Sequence, residues 1–206
     1  AQTNDLALLR WVREEKECAW DWNTSGQAAY LGNLEMLKYC VENGCEVNTG
    51  TCEAAAQYGN LECLKYLREK NCPWDRRTSD SAAYNGDIEI LKYCVENGCK
   101  VNAWTCATAA ENGHLECLKY LREKDCNWSW RTSMMAARLG NLEMLKYCVE
   151  NGCEVEESTC AYAAGEGHLE CLQYLREKNC PWDKMTSHWA AKQGNLEMLK
   201  YCVENG

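Results

Sequence analysis

The sequence predicts an all-α fold, an α-solenoid of stacked helix-turn-helix units, and three observations carry that prediction. A glycine returns at Gly32, Gly59, Gly86, Gly113, Gly140, Gly167 and Gly194, 27 residues apart each time and without an insertion. An Ala-Ala pair begins four residues before each of these glycines, and a Leu-Glu or Ile-Glu pair follows it. All 17 cysteines also fall on ladders of the same register: one of period 27 from Cys18 to Cys180, and others of period 54 such as Cys40, Cys94, Cys148 and Cys202. A period of roughly 20 to 50 residues is the signature of a repeat array, in which each unit hides its apolar face only against its neighbours.

The elements follow in order. Residues 1–21 read as an N-terminal capping helix and loop, because "LLRWVREEKECAWD" matches the later "CLKYLREKNCPWD" with one residue more. Residues 22–206 read as seven helix pairs of 27 residues, the last ending after its second helix, so that 1–206 forms one repeat domain. The first helix of a pair is predicted to start at Thr24, whose hydroxyl would cap orphan N–H groups, and to stop at Gly32, which tolerates left-handed dihedrals. The second is predicted to open on Asn33, Asn60, Asp87, His114, Asn141, His168 or Asn195 as N-cap. It carries Leu34, Leu37, Cys40 and Val41 at helical spacing and ends near Asn43. The next position holds Gly44, Asn71, Gly98, Asp125, Gly152, Asn179 and Gly206, residues that reach positive φ most readily, which marks a left-handed stop.

Two unit types alternate, giving a superimposed period of 54. Met36, Cys63, Ile90, Cys117, Met144, Cys171 and Met198 share one helical position, and Cys40, Leu67, Cys94, Leu121, Cys148, Leu175 and Cys202 the position four residues on. A large side chain thus meets a small one in every second helix, as close packing requires. The thiols read as small core hydrophobes. Trp20, Trp74, Trp128 and Trp182, also 54 apart, read as loop-packing residues, and the Glu35, Lys38, Glu42 series as a solvated outer face.

Helix pairs with Ala-Ala in the first helix, a glycine hinge and "HLECLKYL" in the second resemble the ankyrin repeat, over residues 6 to 206. The familiar unit has about 33 residues and a T-P-L-H start; these have 27, with Thr-Cys or Thr-Ser there. The deficit falls in the loops "CEVNTGT" and "CPWDRRT", so the resemblance implies β-hairpin fingers that are reduced or absent. In this the chain is similar to the short ankyrin-like arrays of protists and large DNA viruses.

Composition bounds the function. A chain with 46% apolar and 26% charged residues is an ordinary globular one, and a net charge of -9 with pI near 5.0 opposes binding to nucleic acid or an anionic membrane. No apolar run approaches the roughly 20 residues needed to span a bilayer. Stacked helices sit about 8 to 10 Å apart, whereas a disulfide needs Cα atoms within about 7 Å, so cysteines of one ladder are expected as free thiols in a reducing, cytoplasmic compartment. No C-x-x-C occurs, His114 with Cys117 and His168 with Cys171 offer two ligands each, and no metal or other cofactor is expected. His188 beside Ser187 is the one catalytic candidate, and "GEGHLE" at 165–170 lacks the strand and third glycine of a phosphate cradle. No enzyme is expected.

If the repeated positions build the scaffold, function lies where the units differ. Second helices hardly vary, while the first helices vary freely two and three residues after each Thr and again just before each Gly. The second of these sets matches positions that the resemblance places on the concave side of the inner helices. The expected partner-binding face comprises Tyr30, Leu31, Gln57, Tyr58, Tyr84, Asn85, Glu111, Asn112, Met135, Arg138, Tyr162, Trp189 and Lys192. The loop residues Trp22, Arg76, Arg77, Trp104, Trp130 and Arg131 complete it. Its Tyr, Trp and Arg content is that of interface hot spots. The expected partner is another protein, with neither nucleic acid nor membrane. The alternative is a structural protein that assembles into a homo-oligomer or filament by end-to-end stacking.

Overall fold

A computed structural model describes residues 5–205 and contains, among them, fifteen α-helices and no strand. They fall into two compact units, divided between Val101 and Asn102. The first unit begins with α1 (Leu6–Glu14) and continues with the pairs α2 (Trp22–Tyr30) and α3 (Leu34–Glu42), α4 (Thr49–Gln57) and α5 (Leu61–Glu69), and α6 (Arg76–Asn85) and α7 (Ile88–Glu96). The second holds α8 (Ala103–Glu111) and α9 (Leu115–Glu123), α10 (Trp130–Leu139) and α11 (Leu142–Glu150), α12 (Glu157–Gly165) and α13 (Leu169–Glu177), and α14 (Lys184–Lys192) and α15 (Leu196–Asn205). Seven helix pairs behind a leading helix, joined by loops without β-hairpins, are the architecture the 27-residue period predicts.

Helix starts need one correction. The first helix of a pair begins before its Thr: Asp21, Asn48, Asp75, Asn102 and Asp183 are the N-caps, their side chains accepting a backbone N–H two or three residues on. The Thr sits inside the first turn and is buried at 51, 78, 105, 132 and 159. At Asn48 and Asn102 it completes a capping box, Thr51 and Thr105 accepting the backbone N–H of the cap at 3.2 Å each. The Asx residue three positions earlier stands at the helix start, where its side-chain oxygen meets the orphan N–H groups, while the Thr lies inside the first turn.

The second helices divide by type. Asn33, Asp87, Asn141 and Asn195 cap as expected, each accepting the N–H three residues on. Asn60, His114 and His168 do not cap their helices. Asn60 instead donates Nδ2 to the carbonyls of Ala29 and Tyr30 at 2.8 and 2.9 Å, and His168 Nε2 lies 3.0 Å from the Arg138 carbonyl. These side chains satisfy the open carbonyls where the previous first helix ends. Gly32 and Gly140 permit the approach, being left-handed at φ +68 and +74 with no side chain in the path of Asn60 and His168.

The second-helix stop is left-handed as predicted. Gly44, Gly98 and Gly152 have φ of 80, and Asn71, Asp125 and Asn179 of 58, 56 and 55; Gly206 lies outside the described residues. Glu17 joins this series at φ 48, the equivalent position of the leading unit. The extra residue there is absorbed at the helix end. The Cys18 amide donates to Val12, six residues back, whereas Cys45 and Cys72 donate to Cys40 and Leu67, five back.

Packing follows the volume rule. Met36, Ile90, Met144 and Met198 are fully buried beside Cys40, Cys94, Cys148 and Cys202, and Cys63, Cys117 and Cys171 beside Leu67, Leu121 and Leu175. First helices stack on first helices through the Ala-Ala pairs, α2–α4–α6 in one unit and α8–α10–α12–α14 in the other. Four loop cysteines are buried latches: Cys45, Cys72, Cys99 and Cys153 donate to the carbonyls of Asp21, Asn48, Asp75 and Ser129, 24 residues earlier. Each 54-residue Trp is clamped as expected. Arg13, Arg68, Arg122 and Arg176 lie 4.7, 4.2, 4.3 and 4.9 Å over Trp20, Trp74, Trp128 and Trp182. Tyr39, Tyr93, Tyr147 and Tyr201 meet the same indoles edge-on.

Candidate interaction face and groove

The expected positions lie along the first helices and in the loops ahead of them, and among the variable positions beside them Ala107, Thr108, Met134 and Ala161 are buried. In the first unit Tyr30, Tyr58 and Tyr84 are 41%, 48% and 57% exposed, and the rings of Tyr30 and Tyr58 touch at a centroid distance of 4.0 Å. Leu31 is half-buried, Gln57, Asn85 and Trp22 are exposed, and Asn85 donates to the Gln57 carbonyl. Arg77 is engaged internally, 3.3 Å from Glu53 and 3.1 Å from Asp75, with a hydrogen bond to Thr49 Oγ1, and Arg76 lies 3.3 Å from Asp80. Beside Arg77 the Asp75 carboxyl is held below the usual carboxylate range.

In the second unit Glu111 and Arg138 form an ion pair at 2.7 Å, and Asn112 donates to the Thr108 carbonyl. The Arg131 guanidinium lies 5.5 Å from both Trp104 and Trp130 rings, and Met135 is half-buried. Arg77, Arg131 and Arg138 thus also bridge to the neighbouring first helix.

Between α12 and α14 that pattern breaks. A groove of about 740 Å³ opens there, floored by Tyr162 and Trp189 and walled by the loops before both helices. Tyr162 and Trp189 belong to the expected face, and Gly165 and Glu166 to the variable pair before a repeat glycine; Glu156, Glu157, Asp183 and Met185, which also line it, belong to neither. The signal was present at residue 165, where the 27-residue series runs Tyr30, Gln57, Tyr84, Glu111, Arg138, Gly165, Lys192. Gly165 is the one member without a side chain, and Trp189 packs on the bare backbone, its Cβ 3.4 Å from where a Gly165 Cβ would stand. The Lys192 ammonium caps the Trp189 ring at 4.5 Å.

A family model described as ankyrin repeats (3 copies) matches residues 25–104, 80–159 and 133–206. The chain belongs to the ankyrin-repeat family. Among solved structures it is similar to the human ASB11 ankyrin repeat domain, with a TM-score of 0.65 and 19% identity over 76% of this chain and 84% of that one. That likeness is one of fold. No match was found among curated proteins.

Ankyrin repeats serve generally as protein–protein interaction modules, their stacked units offering an extended surface. Most cysteines of this ankyrin chain lie in its core. Its cysteines are reduced thiols, sixteen buried and Cys18 exposed. Burial pushes Cys63 and Cys171 up to about 11 and Cys160 to about 12, so these sulfurs are protonated at neutral pH. Cys40 is also raised, first by its hydrogen bond with Cys45 and then by burial. The pair Ser187 and His188 is split. Ser187 hydrogen-bonds Cys202 in the core, and His188 stands edge-on to Trp189 on the surface. Among the described residues no helix is long and apolar enough to cross a membrane.

Proposed function

We propose that this ankyrin-repeat chain is a non-catalytic scaffold that binds a partner protein through the exposed side of its first helices and the loops ahead of them. One observation carries the reading: the two positions just before each repeat glycine vary among the seven units, and Tyr58 and Tyr84 there, with Tyr162, are exposed, while the second helices repeat almost unchanged. Exposed tyrosines on a rigid framework supply contact area at low entropic cost, the property that makes them hot spots. The wealth of reduced thiols favours work in a reducing compartment such as the cytoplasm.

The test is capture of partners by the wild type and by a Tyr58→Ala/Tyr84→Ala/Tyr162→Ala variant. These side chains are exposed, so the variant is expected to keep its helicity and melting temperature while losing its partners. Equal capture by both proteins overturns the proposal.

A further inference from the structure

We propose that the groove between α12 and α14 seats a basic segment of the partner protein, a stretch carrying Arg or Lys. This deepens the interaction-scaffold reading and rests on it. The argument starts from what fills the equivalent places elsewhere. Arg77 and Arg131 occupy the same position of their units, 54 residues apart, and each spends its guanidinium on the neighbouring first helix, Arg77 on Glu53 and Arg131 on Trp104. The next residue in that series is Met185, which lines the groove. Arg138, whose guanidinium holds Glu111, is likewise followed in its 27-residue series by Gly165. Met185 thus stands where Arg77 and Arg131 carry an internal guanidinium, Gly165 stands where every other unit carries a side chain, and both residues line the cavity of about 740 Å³.

What surrounds that space is suited to a cation. Glu156, Glu157, Glu166 and Asp183 bring four carboxylates to its walls, and no Lys or Arg lines it. Asp183 is partly committed, capping α14 through the Met185 N–H, whereas Glu156 makes no such cap to α12. Tyr162 and Trp189 offer the aromatic floor, and Lys192 over Trp189 shows that ring already receiving an ammonium. An incoming guanidinium would find carboxylates at the wall and a π face below, the complement that steers and fixes a basic peptide. The groove is continuous with the exposed Tyr162 of the proposed interaction face, which is why a protein segment, and not a free polyamine, is its expected occupant.

The test is titration of the full chain with a fluorescent Gly-Ser peptide bearing several arginines, beside the same peptide with glutamates or serines in their place, and with spermidine as competitor. The arginine peptide is expected to bind at least about tenfold more tightly than the other two and to weaken with salt. Met185→Arg, which restores the internal cation, and the pair Glu157→Gln/Glu166→Gln should each lower that affinity about tenfold, while Lys192→Ala should raise it. Affinities unchanged across these variants overturn the inference, as does displacement by spermidine at peptide-like concentrations. Failure of the arginine peptide while Tyr58 and Tyr84 still govern partner capture removes the groove proposal alone; loss of both removes the parent reading too.

Discussion

Cys106 donates its thiol to Cys126 with the sulfurs 3.5 Å apart, both buried where a first helix meets a loop. A sulfur is larger than a methyl, polarisable, and able to give a weak hydrogen bond to a carbonyl, so it packs where leucine is too big and alanine too small. Protonation is part of that role. Because burial raises Cys63, Cys160 and Cys171 from an ordinary value near 9.0 to about 11 or 12, the unfolded chain releases these protons first as pH rises. Their contribution is fully present below pH 9.0 and is lost as pH climbs toward 12. Urea midpoints are therefore expected to coincide at pH 7 and 8 and to fall by pH 10. A thiol reagent at pH 8 should label Cys18 quickly and the other sixteen only on unfolding. Rapid labelling of more than one thiol in the native protein contradicts this account.

At the scale of the element, two glycines make opposite predictions. Gly32 is left-handed and faces the Asn60 side chain, so Gly32→Ala adds backbone strain and pushes away the group that satisfies two carbonyls. A loss of about 1 to 3 kcal/mol is expected. Gly165 lies in the last turn of α12 with ordinary helical dihedrals, and its new Cβ would meet Trp189 at 3.4 Å, a normal contact. Gly165→Ala should therefore stabilise by about 0.5 to 1 kcal/mol, since alanine loses less chain entropy in a helix. Urea unfolding of both variants checks the signs. The helices' existence and ends were legible in sequence, because glycine spacing and the Asn/Asp/Gly stop are local properties of the backbone. Their true caps were not: Thr24 and Asp21 both have capping chemistry, and only the burial of Thr51 and its congeners in the core decides between them.

For the molecule as a whole, stability is a sum over neighbours, and it should be lowest where neighbours are few. Within the first unit α1 buries only Leu9, while α5 buries Cys63, Leu64, Tyr66 and Leu67. Backbone amides of α1 are expected to exchange with solvent roughly a hundredfold faster than those of α5, as hydrogen-exchange mass spectrometry can measure. Equal protection in the two would show a single cooperative core instead of stacked pairs.

The sequence by itself determined the repeat, the helix pairs and the alternation of large and small core residues. Each of these is written as a period, and a period of 27 has few ways to bury apolar surface other than stacking. Tertiary structure decided which variable residues remain available. Arg77, Arg131, Arg138 and Glu111 stand among the expected partner contacts, and each also meets a group on the adjacent first helix, 24 to 27 residues away in the chain and a few ångströms away in space. Met185 carries no signal of its own in the sequence, yet with Gly165 it lines the acidic, aromatic groove. Whether a charge is satisfied depends on its neighbour in space, which a list of variable positions does not contain.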